Sequence, residues 1–504
     1  MPLALLTLAA LGLRLLLLGR HGFWDDEMIV AFVIRQPLAA IFRDVMFNDS
    51  HPPLYHMMLR VWTLAFGGDL WTMRLFSAVL GAACVPATYL LGREATGERR
   101  AALIAAALMA VAPFQIFHAQ QARMYPLLTL VVTLAALLFV RAWRRGGWWR
   151  WLLVAACCTA GVYAHVYFWF SLLGLNVWAL AETWRARRID WQRWAGAVAA
   201  QVAAVLLFLP FVPTMFGTVQ AIVKNFWIKS NTPFDWLFDL VSLANNATAL
   251  TDPYHPQATF ALFAAFFPAL LAVLLALGYS LRRARRRPEE RSGCLLLHAL
   301  IWTPIVVATA ISLTLRPILL DRSLIGLSAP LFIVMGWTLS LNWRSLPART
   351  VALLYGATII VMLVQTYIVP AHQNDLFDVA NRIAAERRPG DAVAYVDWQM
   401  FDASALAQPA LPDVYALPPE SGDTRGWLER MRVMHTPEPH RSEPVATFAP
   451  GYKRIWLVFT VFTSELEYHK RTNLAWLRQH GHEVSTFETP RSLVYLYDMR
   501  QSKP

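Results

Sequence analysis

Charge is what this sequence has least of. Of its 504 residues only 15% are Asp, Glu, Lys or Arg, while 57% are hydrophobic. A soluble globular chain carries about 25% charged residues. The shortage excludes a water-soluble fold for most of the chain, because the apolar residues also come in runs longer than a soluble core needs. Cysteine is scarce as well. Cys84, Cys157, Cys158 and Cys294 lie in or beside apolar runs without metal-ligand spacing, so neither a disulfide framework nor a zinc site is expected. There is no Gly-rich nucleotide-binding motif, no internal repeat and no low-complexity segment. The Met1–Gly19 run lacks a basic start and a small-residue cleavage site, and is expected to be a retained helix rather than a signal peptide.

Acidic residues are fewer than basic ones, giving a net charge of +12. A nucleic-acid partner is not expected from this excess, because the arginines cluster in short connections between apolar runs. A helix needs about 20 apolar residues to cross a bilayer. Eleven segments qualify as candidate spans: 2–19, 72–92, 101–117, 124–142, 149–167, 168–184, 194–216, 258–281, 294–315, 317–340 and 350–370. Arg93/Arg99/Arg100, Arg141/Arg144/Arg145/Arg150, Arg185/Arg187/Arg188/Arg193, Arg282 to Arg291 and Arg344/Arg349 occupy every second connection, which should therefore be cytoplasmic. The amino terminus is then inside. Connections 20–71, 118–123, around 167, 217–257 and 316, together with the tail, are outside.

Loop 20–71 carries two amphipathic stretches, around Ile29–Met46 and Leu54–Leu64, that read as helices lying in the membrane interface; a re-entrant hairpin over 52–66 is the competing reading. After residue 370 the apolar runs shorten to strand length, at 392–396, 455–459 and 493–497, with helical patterns at Leu376–Arg388 and Asn473–His480. The expected organisation is a polytopic helical membrane domain over 1–370 and a small extracytoplasmic α/β domain over 371–504, with an irregular Pro-rich stretch at Pro409–Pro444.

The unusual polar residues crowd into the outer connections. Asp25, Asp26 and Glu27 follow Trp24 at the mouth of the first span, where three adjacent carboxylates are costly unless they face water, a cation or a substrate. One of them can serve as a general base. The competing reading is an acidic cap on the helix that follows, with Asp25 as the capping residue. His51 and Tyr55, in His51-Pro52-Pro53-Leu54-Tyr55, read either as a plain helix start or as part of the same outer pocket. His118, Gln121, Arg123 and Tyr125 share one very short outer loop. An arginine there can bind lipid headgroups, an internal carboxylate or an anionic substrate. Lys224, beside Lys229, and Arg322 are further outer cations suited to phosphate, with plain solvation as the alternative for the lysines. Arg74 is expected to be structural.

Taken in order and spacing, Trp24-Asp25-Asp26-Glu27, His51-Pro52-Pro53-Leu54-Tyr55, Arg74 to Leu80 and His118 to Tyr125 resemble the bacterial branch of the GT-C membrane glycosyltransferases. That group includes protein O-mannosyltransferases and lipid A aminoarabinose transferases. The resemblance is strongest over residues 15–142 and continues loosely through Arg322 and the tail. It implies a GT-C-like fold in a bacterial inner membrane. It also implies inverting transfer of one sugar from a polyprenyl-phosphate donor to a glycan, lipid or protein acceptor on the outer side. By the same resemblance Asp26 is the catalytic base with Glu27 beside it, and Arg123 and Arg322 are the family arginines. Gln121 stands where members commonly have Glu, and Ser323 where they commonly have Tyr; the first departure bears on any metal role, and no cofactor is implied. The competing classes are a transporter or flippase, which should show breaks and ionisable groups mid-span, and a non-catalytic scaffold.

Overall fold

The computed structural model describes residues 1–20, 22–48, 51–215, 258–315, 317–340, 345–368, 376–396, 398–407, 413–418, 420, 442–460, 466–489 and 492–500. Lys224, Lys229 and the connection around them lie outside these residues, as do Arg316, most of the stretch Pro409–Pro444 and the side chain of Asp25. The chain divides into two compact units: Met1–Leu18 with Pro37–Ala371, and Gly19–Gln36 with His372–Pro504.

The first unit is a helical bundle. Its helices are α1 (Pro2–Leu15), then, after α2 (Asp25–Val33) of the second unit, α3 (Leu38–Asn48), α4 (Leu54–Phe66), α5 (Leu70–Thr96), α6 (Arg99–Val111), α7 (Pro113–Ala119), α8 (Tyr125–Arg145), α9 (Trp148–Ala164), α10 (Phe168–Ala186), α11 (Trp191–Phe208), α12 (Ala258–Arg286), α13 (Arg291–Thr314), α14 (Ser328–Leu339) and α15 (Leu346–Ile368). Every one of the eleven candidate spans carries helix. By length and apolarity seven helices among the described residues can cross a bilayer, or eight when the bent pair α6–α7 counts as one. Residues 54–66 form the single helix α4 rather than a hairpin.

Helix ends follow local chemistry. Asp69 caps α5 by accepting from the N–H groups of Trp71 (3.0 Å) and Thr72 (3.1 Å). Gly97, at φ +72°, closes the same helix in the left-handed conformation. Inside the bundle small residues let backbones touch. A Cβ on Gly293 of α13 would stand 1.8 Å from the Ala95 carbonyl of α5, and one on Gly336 of α14 would stand 2.5 Å from the Ala101 carbonyl of α6. The arginine-rich connections are knitted by ion pairs: Arg141, Arg144 and Arg145 all reach Glu94, and Arg283 joins Glu98 to Glu290.

One span is broken. Between α6 and α7 the axis bends by 51° at Ala112-Pro113. Proline has no N–H, so the Met109 carbonyl loses the partner a continuous helix would supply. Arg14 of α1, fully buried, replaces it. Its Nη2 donates to Met109 O (3.1 Å) and its Nη1 to Ala110 O (3.0 Å) and to Ala10 O (3.0 Å). Gly81 makes room both for Ala119 of α7 and for this guanidinium, since a Cβ there would lie 2.7 Å from Ala119 Cβ and 2.8 Å from Arg14 Nε.

The second unit is an α/β domain. Its elements are α2, α16 (Leu376–Glu386), β1 (Asp391–Tyr395), α17 (Trp398–Ala407), β2 (Val414–Ala416), β3 (Arg454–Thr460), α18 (Ala475–His480), β4 (His482–Glu488) and β5 (Ser492–Asp498). The sheet runs β2-β1-β3-β5-β4, parallel among the first three and antiparallel over the last two pairings. Its core holds Tyr415 stacked on Phe448 at 3.8 Å with Ile455, Leu457 and Tyr497. At the edge of that core Asp391 accepts from Arg454 Nε (2.9 Å) and Nη2 (2.5 Å), Trp456 Nε1 (3.1 Å) and the Arg388 N–H (2.9 Å). Burial alone would raise the Asp391 carboxyl; these donors outweigh it and hold the group below its usual range.

Within its unit α2 is covered by protein. Val30, Phe32, Val33 and Ile34 are buried rather than left for lipid, α2 packs on α17, and Phe23 meets Phe377 edge-on at 5.7 Å.

Candidate active site

Two sets of site residues emerge, one in each unit. In the bundle, Pro52 and Pro53 start α4 and place Tyr55 in its first turn, fully buried. Ser77 of α5 donates to the Arg123 carbonyl (3.2 Å), so the 2.8 Å bond between Ser77 and Tyr55 has the tyrosine as donor. This chain ties α4 and α5 to the short link between α7 and α8. The link itself is tight: the Arg123 N–H donates to Gln121 O (2.8 Å), and Gln120 Nε2 donates to the carbonyls of Arg14 (3.2 Å) and Leu16 (2.8 Å). Arg123 is buried, with its guanidinium 6.0 Å from the centre of the Tyr125 ring. His118, also buried, stands edge-on to Phe114, Phe117 and Tyr125 at 4.5, 5.1 and 4.9 Å. The Oε1 of Gln121 is buried and finds no hydrogen-bond partner among the described residues.

A residue the motif reading passed over sits at the middle of this cluster. His165, buried between α9 and α10, lies 5.9 Å from the His51 ring, 6.4 Å from Tyr125 and 5.3 Å from Tyr167, measured between ring centres. His51, Arg123 and Arg322 all act on it electrostatically. The Tyr167 N–H donates to His165 Nδ1 (3.1 Å), which leaves the proton of the neutral ring on Nε2. A lone histidine at the short turn between two apolar spans was the only sequence signal for it. Arg322 is half-buried in the 3-10 turn Asp321–Leu327, where its N–H donates to Asp321 Oδ1 (2.5 Å). Tyr167, through its hydroxyl, also bonds the Ile318 carbonyl just before that turn.

The structure therefore brings His51, Arg123, Tyr125 and Arg322 together around His165, with Tyr55 and His118 attached through Ser77 and Tyr125. Two guanidinium groups with imidazole and phenol neighbours, in a setting largely shut from water, suit an oxyanion such as phosphate. Arg74, expected as structural, donates to the Leu18 carbonyl (3.0 Å).

The acidic set belongs to the second unit. Trp24, extended at ψ 170°, is the cap residue of α2, and Glu27 reaches back so that its Oε2 accepts from the Trp24 N–H (3.3 Å). This corrects the capping assignment: Asp25 is already the first helical residue, and the cap bond is made by the buried Glu27. Asp26, on the first turn, is half-buried.

Comparison with known proteins agrees with the helical membrane architecture. Residues 50–214 match the family model described as dolichyl-phosphate-mannose-protein mannosyltransferase. Over 197 residues the chain is 27% identical to protein O-mannosyl-transferase 1 of Mus musculus, a match covering 32% of this chain and 26% of that protein. The chain thus spans about a quarter of that relative's length. Over its whole length it superposes on the crystal structure of ArnT from Cupriavidus metallidurans bound to undecaprenyl phosphate, with TM-score 0.60, 15% identity and 99% of each chain covered. The apo state of the same protein gives TM-score 0.61, 14% identity, and 100% and 98% coverage. These likenesses show a shared fold.

Proposed function

We propose, from the GT-C-like fold and motifs, that the chain is an inverting glycosyltransferase that moves one sugar from a polyprenyl-phosphate donor to a hydroxyl acceptor. The observation that carries the reading is the cluster in which His51 and Tyr125 stand beside buried His165, with the buried Arg123 guanidinium next to Tyr125. A lipid-linked donor keeps its chain in the bilayer and its phosphate at the interface, where such cations are useful. Arg123 and Arg322 hold the phosphate and stabilise the charge that builds as it departs. Lys224 is a third candidate for the same task. Asp26 takes the proton of the acceptor hydroxyl while its oxygen attacks the anomeric carbon from the face opposite the phosphate. The bond from that carbon to the phosphate oxygen breaks, and polyprenyl phosphate leaves with the electron pair. Single displacement inverts the anomeric centre. Glu27, Asp25, His51, Tyr55, His118, Gln121 and Tyr125 orient donor or acceptor. The acceptor is a glycan, lipid or protein on the outer side of a bacterial inner membrane, with the amino terminus in the cytoplasm.

A transporter or flippase finds one feature in its favour, the broken span α6–α7. The Met109 and Ala110 carbonyls freed there are already taken by Arg14, so that side of the break does not offer them to a coupling cation. The test is incubation of the reconstituted full chain with a panel of polyprenyl-phosphate sugars and candidate acceptors, read by mass spectrometry. Release of polyprenyl phosphate together with a glycosylated acceptor is expected. Movement of the intact donor between leaflets without consumption would replace the transferase by a flippase.

A further inference from the structure

The arginine-rich side of the bundle holds a cavity that the proposed reaction does not use. It has a volume of about 690 Å³ and opens between α9 and α11. Its lining changes character along its length. At one end are Arg144, Arg145 and Arg193 with the turn Gly146-Gly147; at the other are Leu152, Ala155 and Ala203. The apolar part follows single helix faces, because Trp148, Trp151, Leu152 and Ala155 recur at helical spacing on α9, as do Gly196, Ala200 and Ala203 on α11. Gly196 permits the depth, since a Cβ there would lie 2.3 Å from the Trp151 indole nitrogen.

The polar end carries surplus positive charge. Among the described residues Glu94 alone answers Arg141, Arg144 and Arg145, while Arg193 is neutralised by Asp190 at 2.9 Å. Two guanidinium charges are therefore left over beside the cavity mouth. The same rim bears outward-facing tryptophans, Trp148 and Trp191, both about three-quarters exposed. Indoles of this kind settle at the level of lipid headgroups. An anionic head at the arginines, with a hydrocarbon tail running along the alanine-lined wall, matches both ends at once. A free anion matches only one.

From this juxtaposition we infer that the groove between α9 and α11 is a binding site for one anionic phospholipid, phosphate at Arg144 and Arg145 and acyl chain against Ala155, Ala200 and Ala203. The site is separate from the cluster around His165 and stands whether or not the transferase reading does. Basic pockets between membrane helices bind acidic headgroups on the same electrostatic principle.

The experiment is native mass spectrometry of the full chain released from nanodiscs of phosphatidylglycerol and phosphatidylcholine in equal amounts. Retention of one phosphatidylglycerol is expected, preferred about 25-fold, from roughly fivefold for each of the two surplus arginines. Arg144→Gln with Arg145→Gln should abolish the preference. Ala203→Phe, which leaves every charge in place and blocks the tail, should abolish retention of either lipid at this site. Glycerol phosphate added at millimolar concentration should not displace the bound lipid, since it lacks the chain. Equal retention of the two lipids by the parent protein overturns the inference, as does an unchanged preference in the double glutamine variant. Displacement by glycerol phosphate would reduce the site to a general anion site and overturn it as well.

Discussion

Removal of the Arg14 guanidinium should destabilise the bundle, and the size of the effect can be worked from its bonds. Arg14→Met keeps much of the side-chain volume and deletes all three donated hydrogen bonds. The bond to Ala10 is within α1 and has a helical alternative. The bonds to Met109 and Ala110 do not, because Pro113 cannot donate and the bend carries α7 away. A hydrogen bond from a charged donor contributes about 1.5–3 kcal/mol, so two lost bonds amount to about 3–6 kcal/mol. Releasing a buried guanidinium offsets part of this, since its desolvation costs several kcal/mol and its described partners are carbonyls. A net loss of about 2–4 kcal/mol remains. Equilibrium unfolding in mixed micelles, followed by far-ultraviolet circular dichroism, measures it. Gly81→Ala approaches the same contact from the other side. It leaves the charge but presses a methyl group against Arg14 Nε, at an expected cost of about 1–3 kcal/mol. In the Arg14→Met background the part of that cost owed to Nε should vanish, while the contact with Ala119 Cβ, 2.7 Å from the added methyl, remains. An Arg14→Met protein as stable as its parent, or a Gly81→Ala penalty no smaller in the double variant, would show that the broken span is held by something else.

The acidic turn allows base and cap to be separated. Asp26→Asn should lower transfer by about 10²–10⁴-fold with donor binding retained. Glu27→Gln preserves an oxygen for the Trp24 N–H and should cost less than about 1 kcal/mol in stability, whereas Glu27→Ala should cost about 1–2 kcal/mol; a fully active Asp26→Asn would move the base elsewhere. Arg123→Ala and Arg322→Ala should each weaken donor binding by about 10–100-fold in a titration with labelled donor, with lysine rescuing only in part. Wild-type affinity in both would leave them as headgroup anchors. For the α/β unit, Asp391 is held below its unfolded value, so the stability it contributes is present at neutral pH. That stability drains away as pH falls below about 4, through the folded value. The unfolding midpoint, read from tryptophan fluorescence, should drop steeply in that range, and more gently in Arg454→Met. Reporters fused after Arg145 and Arg287 should read cytoplasm and those after Lys229 and Asp375 the outside; a cytoplasmic reading at Asp375 would undo the eleven-span count.

Much of the bundle was legible because run length and charge are local properties. A stretch such as Leu127–Leu138 has few alternatives to helix, and each candidate span carries one. The strands at 391–395, 454–460 and 492–498 were legible for a similar reason: each is a short, largely buried apolar run. β4 was not. His482–Glu488 is an edge strand, exposed along nearly its whole length, and has no apolar alternation to betray it. Arg14 was missed because its meaning depends on Pro113, about a hundred residues away, and nothing in its own surroundings announces a carbonyl to be satisfied. The site was half legible. The motif around Arg123 stood out by composition, but His165 becomes part of it only when α9 and α10 fold their turn against His51 and Tyr125. The place of α2 was hidden for the same reason, since an apolar helix face looks alike whether lipid or protein will cover it.

That place has a consequence for how the protein comes into being. Residues 19–36, which bear Asp26 and Glu27, belong with residues 372–504. The ribosome makes the first part early and the second part last. At about 5–20 residues per second, some 17–70 s separate them. Throughout that interval the helices of the bundle can enter the membrane and pair, while α2 still lacks α17, the helix it packs on. The order of synthesis therefore makes the proposed base the last piece to be seated. A nascent chain stopped before residue 372 would have its arginine cluster, its broken span and the cap bond between Glu27 and Trp24, yet not the helix α17 on which α2 packs. Catalytic competence would then arrive in a single late step, when the carboxy-terminal sheet closes on a helix that has been waiting since the start of translation.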